Sequence, residues 1–365
     1  MRAQRPRHQS AKSTHLPPMR KKLALSAVSL LLTLLVAEAA LRIVGVGSAG
    51  RGSSWFAGGN HSRYLFQADA ESGYTLRPGF RGEEIAPGKE FDVPAAIDAR
   101  GLRDQPHTAP NQPAVLTVGD SMTFGEGVPA DRTFSAVIEK EAGVRVYDGG
   151  VPGYSSRQMV ARLRHLLPAL HPAVVVMTLS PLWDRQRCAT PFVYRDGYIV
   201  ANSYVDRLEL IGGNLYLQET RLPVLGTATA HLKAHSNLLR LAIPALANAA
   251  KKIFLHPEKE GPPTASDYEP TVQDLAEARR LTEAQGGRFL ALLVDDRGPD
   301  YRRDRLAIQE RLKALGIPFI AAQDLLPGAD WKRLSYPRDT HWNLAGHEAV
   351  GKALAPRVKE MAAGR

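Results

Sequence analysis

The chain has 365 residues, 44% of them hydrophobic and 23% charged, a balance that suits a globular protein and excludes wholesale disorder. Its formal net charge of +10 suggests a nucleic-acid binder, but seven basic residues and no acid fall within residues 1–22, so the excess is a tail and no nucleic acid is expected as a partner. The single cysteine, Cys188, excludes an intrachain disulfide framework, and the length allows one large α/β core with appended elements or two modest domains.

The basic tail, residues 1–22, carries Arg2, Arg5, Arg7, Lys12, Arg20, Lys21 and Lys22. It leads into an uncharged apolar run that begins at Leu23 and continues to Val46, with Glu38 and Arg42 near its end. A helix of about 20 residues spans the hydrocarbon core of a bilayer, and basic flanks stay on the cytoplasmic side. Residues 23–46 therefore read as an uncleaved signal anchor of the inner, cytoplasmic membrane, with the remainder of the chain periplasmic. Two other readings stay open: a signal peptide cleaved at the small residues around Ala37-Glu38-Ala39 or Ala39-Ala40, and a buried core helix.

Residues 47–62 follow as a Gly- and Ser-rich linker. Between 63 and 113, short patterned pieces are broken by Gly and Pro, such as Gly73-Tyr74-Thr75-Leu76 and Glu90-Phe91-Asp92-Val93. They read as extended segments packed against a main domain, not as an independent core.

From Ala114 onward strand and helix patterns alternate. Strands are expected at 114–118, 144–147, 173–179, 289–294 and 318–320, and helices at 134–142, 157–167, 271–285, 301–315 and 344–361. Apolar β-branched runs between amphipathic stretches imply a parallel sheet covered on both faces, with chemistry gathered at the carboxyl ends of its strands. The rhythm breaks over an insertion at 184–267. Two hairpins are expected there, with turns at Asp196-Gly197 and Gly212-Gly213-Asn214, followed by an apolar helical stretch from Ser236. That insertion either caps the site, lies on the membrane, or packs on the main domain.

The Val115–Val118 run ends at Gly119-Asp120-Ser121, the way a buried strand delivers a serine to a sheet edge. Gly119 permits close backbone approach, Asp120 braces the turn, and a helix starting nearby aims amide groups at the space before the hydroxyl. About 220 residues later come Asp339 and His341, with Asn343 as the expected cap of the last helix. A serine needs a base, and a histidine base needs an orienting carboxylate; Ser121, His341 and Asp339 supply the three parts. The other histidines show no metal-ligand spacing, and neither metal nor cofactor is expected.

These blocks resemble the SGNH, or GDSL, hydrolase superfamily and its membrane-anchored bacterial branch. Gly119-Asp120-Ser121, continued by Phe124-Gly125-Glu126-Gly127-Val128, is similar to the first block. Asp148-Gly149-Gly150-Val151-Pro152-Gly153 resembles the second, and Asp339-Thr340-His341-Trp342-Asn343 the last. The resemblance implies a three-layer, flavodoxin-like α/β fold and acyl-ester chemistry on carbohydrates, lipids or small esters, with an O-acetylated cell-envelope polysaccharide among the substrates it suggests. It also implies that the backbone amides of Ser121 and Gly153 form an oxyanion hole. Two departures stand out. The third block lacks its usual asparagine, leaving Ser180, or the Trp183 indole, as a replacement donor; and the final pair is spaced Asp-x-His. The rival to an esterase or O-acyltransferase is a catalytically weak module that keeps the cleft and binds a glycan or a protein.

Overall fold

The structure, a computed structural model, describes residues 18–44, 64–85, 90–109, 111–212, 214–218, 220–254, 263–294, 299–337 and 341–364. The expected linker, most of the basic tail and Asp339 lie outside them.

A long helix, α1 (Pro18–Val44), comes first, then four short strands: β1 (Phe66–Asp69), β2 (Gly73–Leu76), β3 (Arg81–Ile85) and β4 (Asp92–Ala96). The main domain opens with β5 (Ala114–Gly119), the single-turn α2 (Ser121–Phe124), α3 (Phe134–Ala142), β6 (Arg145–Asp148), α4 (Ser156–Leu170) and β7 (Val174–Leu179). There follow α5 (Pro181–Ala189), the hairpins β8 (Phe192–Arg195) with β9 (Tyr198–Ala201) and β10 (Leu208–Ile211) with β11 (Asn214–Leu217), and the helices α6 (Pro223–His235) and α7 (Asn237–Phe254). The chain ends with α8 (Glu269–Glu283), β12 (Arg288–Leu293), α9 (Pro299–Ala314), β13 (Phe319–Ala321), α10 (Ala322–Leu325) and α11 (Leu344–Ala362).

Strands β5, β6, β7, β12 and β13 form one parallel sheet in the spatial order β13-β12-β7-β5-β6. Numbered among themselves, these strands lie 2-1-3-4-5, the flavodoxin-like order, whose switch point falls between β5 and β7. Side chains alternate between the two faces, as the strand period requires. Val174 and Val176 of β7 pack with Phe134 and Ile138 of α3 and Val350, Leu354 and Val358 of α11. Val175 and Met177 face the other way, onto Met159 and Leu163 of α4, Val272 and Leu275 of α8 and Ile308 of α9. The result is the three-layer α/β architecture expected, with the apolar Val-rich strands buried on both sides.

Helix ends follow local chemistry. Thr133 caps α3 and Gly143 closes it in the left-handed region, and Ser155 with Gln158 makes a capping box on α4. The latter helix runs three residues past its expected end, through Pro168 to Leu170. The expected helix at 271–285 instead begins at Glu269, because Pro270 fits its first turn and needs no amide partner there.

Leu65, Phe66, Tyr74, Leu76, Phe80 and Ile97 of the N-terminal extended segment share one apolar cluster with β5, β7 and α4. Val200, Leu208, Leu215 and Leu217 form a separate small cluster in the insertion. Among the described residues α1 is the one helix long and apolar enough to cross a membrane, by length and composition, over the 24 residues Lys21–Val44.

Candidate active site

The carboxyl ends of three adjacent strands meet around one cleft. β5 pairs with β7 up to Gly119 opposite Thr178, so Ser121 and Ser180 emerge side by side at the switch point. On the other flank of β5, the loop after β6 is stitched to it: the Gly149 amide donates to Thr117 O at 2.8 Å, and the Val151 amide to Gly119 O at 2.9 Å. That loop brings Gly153 to the same edge. Two glycines here admit no side chain. A Cβ on Gly119 would lie 2.6 Å from Thr178 O and collide with Thr123 Oγ1. One on Gly153, whose φ is +82°, would lie 2.5 Å from the Phe192 ring and 2.8 Å from the Tyr74 hydroxyl.

Ser121 begins α2. Asp120 caps it, its Oδ1 accepting from the Met122 amide at 2.9 Å, and Gly125 ends it in the left-handed region at φ 75°. His341 Nε2 stands 2.6 Å from Ser121 Oγ, across 220 residues of sequence. The loop carrying His341 is fixed on both sides. Upstream, the Tyr336 amide donates to His341 O at 3.0 Å and the Tyr336 hydroxyl to Gly127 O at 2.7 Å. Downstream, Trp342 is buried edge-on to Phe134, and Asn343 caps α11 through Gly346 while its amide donates to Arg333 O and Ser335 O. Asp339, expected to orient His341, falls outside the described residues.

A second carboxylate does lie within reach. Glu126 Oε2 is 3.6 Å from His341 Nε2, with its side chain only 1% exposed. The Glu126 amide donates to Ser121 O at 3.0 Å, so this residue belongs to the same turn as the serine. The sequence displayed it only as one letter of the Phe124–Val128 continuation, and no spacing rule marks it out.

The cleft has a volume of about 950 Å³ and includes Asp120, Ser121, Ser180, Trp183, Arg187 and His341 in its lining. Ser180 caps no amide of α5, and its buried hydroxyl has no hydrogen-bond partner among the described residues. Arg187, about two turns further along α5, donates to Asp120 Oδ2 at 2.9 Å and to Tyr154 O at 3.4 Å, between the rings of Trp183 and Phe192. It thereby ties the serine turn to the Gly153 loop. Cys188 also lines the cleft, but burial, then the neighbouring Asp184 charge, pushes its thiol up to about 12, so it is no nucleophile.

The N-terminal extended segment holds the serine turn from behind. Buried Arg103 donates to Phe124 O at 2.6 Å, Gly125 O at 3.1 Å and Val128 O at 2.7 Å, and lies 3.7 Å from Glu84. Glu84 Oε2 accepts from the Gly127 amide at 3.0 Å. Asp148, whose Oδ1 accepts from the Gly150 amide, is raised by burial to about 6. His347 accepts the Phe134 amide at 3.1 Å and is lowered to about 3, first by burial and then by the Arg103 charge; it serves as a neutral cap of α3 and stands apart from the cleft. Among the described residues no three His, Cys, Asp or Glu side chains gather as a metal site would need.

No family model matches this chain, and no curated protein matches it. Several solved structures do. The chain is similar to TesA at 16% identity, over 68% of this chain and 99% of that one, with a TM-score of 0.39. It is similar to the psychrotrophic esterase EstA from Pseudoalteromonas sp. at 9% identity, over 68% and 97%, with a TM-score of 0.37. An acetyl-xylooligosaccharide esterase from Geobacillus matches at 12% identity, over 68% and 94%, with a TM-score of 0.38. At these values the likenesses add no weight to the chain's own geometry. It is the chain's own blocks, on a sheet of order 2-1-3-4-5, that carry its resemblance to the SGNH, or GDSL, hydrolases.

Proposed function

We propose that the chain is a serine hydrolase of ester bonds, an esterase or O-acyltransferase, held at the inner membrane by α1 with its α/β domain in the periplasm. The observation that carries this reading is the 2.6 Å approach of His341 Nε2 to Ser121 Oγ at the switch point of the sheet.

In this reading Ser121 Oγ attacks the ester carbonyl carbon while His341 Nε2 takes its proton. Negative charge grows on the carbonyl oxygen, facing the amides of Ser121 and Gly153 and the hydroxyl of Ser180. The tetrahedral intermediate collapses, the C–O bond to the alcohol breaks, and His341 returns the proton to the departing oxygen. Water, or a sugar hydroxyl in the transferase case, then gives its proton to His341 as it attacks the acyl carbonyl; the acyl–Oγ bond breaks and His341 returns the proton to Ser121 Oγ. Asp339, two residues before His341, is the proposed partner of the other ring nitrogen. The aromatic side of the cleft, Trp183 with Phe192 and Tyr204, suits the faces of sugar rings, which supports an O-acetylated envelope glycan as substrate.

Turnover of p-nitrophenyl acetate by the full-length protein tests the reading. Wild type is expected to hydrolyse it and Ser121→Ala to fall to the background rate; equal rates for the two would overturn it. A second reading, a binding module, draws on the absence of an asparagine from the cleft lining among the described residues. It predicts no turnover by wild type, together with retention on an acetylated-glycan matrix.

A further inference from the structure

Exposed large apolar side chains are not spread evenly over the described chain. Twelve lie on α1, and six more lie between residues 222 and 246: Leu222, Val224, Leu225, Leu232, Leu241 and Leu246, the most exposed being Val224 at 87%. On α6, Leu225 and Leu232 are seven residues apart. On α7, Leu241 is followed by exposed Ala245, Leu246 and Ala249. The first spacing keeps Leu225 and Leu232 along one line of α6; on α7, Leu241, Ala245, Ala249 and Leu246 together span one apolar face about 140° wide. Neither helix contributes to the lining of the Ser121 cleft.

The junction of these two helices is fastened to α1. Glu38, within the apolar helix, supplies the N-terminal cap of α7: its carboxylate accepts from the Asn237 amide at 3.1 Å, the Leu238 amide at 2.9 Å and the Ser236 hydroxyl at 2.8 Å. Arg42, paired with Glu38 at 2.7 Å, donates to His235 O at 2.9 Å at the end of α6. A helix end that borrows its cap from another element is held at that element's height. Glu38 stands six residues before Val44, or about 9 Å along the helix axis at the usual rise. If α1 crosses a bilayer, the α6–α7 junction is therefore pinned at its exit boundary, where helices with one apolar face settle in the plane of the interface.

We propose that α6 and α7 lie in the outer interface of the bilayer that α1 crosses, with the exposed apolar faces that carry Leu225, Leu232, Leu241 and Leu246 against the acyl chains. The inference rests on the membrane reading of α1 and adds to it. The chain then touches lipid through two elements, one crossing and one lying flat, and the Glu38–Arg42 pair is the joint between them. The hairpins β8–β9 and β10–β11 lead from the cleft wall directly into α6, so the flat element sets the height of the cleft above the membrane.

Spin-label accessibility in the full-length protein tests this. The protein, carrying Cys188→Ala to remove its native thiol, is reconstituted in vesicles of phosphatidylethanolamine and phosphatidylglycerol and labelled singly at Leu246→Cys, Leu225→Cys, Leu31→Cys or Glu283→Cys. Oxygen is expected to reach the labels at 246, 225 and 31 better than a water-soluble nickel chelate does, and the order is expected to reverse at exposed Glu283 on α8. Labels at 246 and 225 that behave like 283, while 31 remains in lipid, would overturn the inference and leave the anchor standing. Labels at 246 and 225 shielded from both reagents would overturn it in favour of a protein partner. A nickel-accessible label at 31 would remove the anchor and the inference together.

Discussion

Arg187 and Asp120 meet at 2.9 Å across the cleft, joining the helix after β7 to the residue that caps the serine turn. The same guanidinium reaches Tyr154 O at 3.4 Å, beside Gly153. One side chain, only 14% exposed, thus spans the three segments that converge on Ser121. A hydrogen bond to a charged group contributes about 1.5–3 kcal/mol. Arg187→Gln is expected to lower kcat/KM for p-nitrophenyl acetate by about 10–100-fold, on the scale of tenfold per 1.4 kcal/mol. A wild-type value would show that the clamp does not hold the turn.

Ser180 has a hydroxyl with no hydrogen-bond partner among the described residues, at the strand end beside Ser121 where the family resemblance leads one to expect an asparagine. If that hydroxyl faces the developing oxyanion, Ser180→Ala lowers kcat by about 10²–10³, the usual cost of losing one such donor. Because the hydroxyl has no partner to lose among the described residues, the melting temperature is expected to stay the same or rise. Thermal unfolding and steady-state kinetics on one preparation separate the two effects.

Arg103 sits behind the serine turn with its guanidinium fully buried against three carbonyls and near Glu84. Arg103→Ala removes the donor of those carbonyls and the buried cation beside Glu84, at a cost of about 3–5 kcal/mol. Urea unfolding measures this directly. A loss below 1 kcal/mol would mean that water or relaxation replaces the guanidinium.

His347 gives the fold a pH dependence with a definite sign. Its folded pKa is lowered from 6.5 to about 3, so below pH 6.5 the unfolded chain binds a proton that the folded chain refuses. Stability is full above 6.5 and falls by about 1.4 kcal/mol per pH unit as the solution becomes more acid. Asp148, raised to about 6, acts oppositely and favours the fold as pH falls from 6 towards 4. The wild-type curve mixes the two, so the comparison is with His347→Gln, a neutral acceptor at every pH. The variant is expected to lack the His347 slope between pH 6.5 and 5; parallel curves would contradict the assignment.

The parallel sheet is legible in the sequence because its strands are short β-branched runs, such as Val174-Val175-Val176, set between amphipathic helices. The nearness of Ser121 and His341 is foreshadowed for a related reason: each sits where a strand or cap signal ends, and a parallel sheet gathers such ends on one edge. Strands β1 and β3 are not legible. Four or five residues of mixed polarity beside Gly and Pro carry too little period to register, and it is their cross-strand partners that make them strands. Helix α5 escapes notice because Trp183-Asp184-Arg185-Gln186-Arg187 has no apolar stripe; its residues face the cleft instead of a core. Arg187, Arg103 and Glu126 are invisible for a third reason. Each acts on carbonyls, carboxylates or a ring brought close only by folding, and a lone arginine or glutamate carries no spacing signature.

The central claim is that Ser121 is the nucleophile, and mapping a covalent adduct addresses it most directly. Full-length protein treated with a fluorophosphonate ester, digested and sequenced by mass spectrometry is expected to carry the phosphonyl group on Ser121 alone, and His341→Ala is expected to carry almost none. An adduct on another residue, or equal labelling of the His341 variant, would contradict the account.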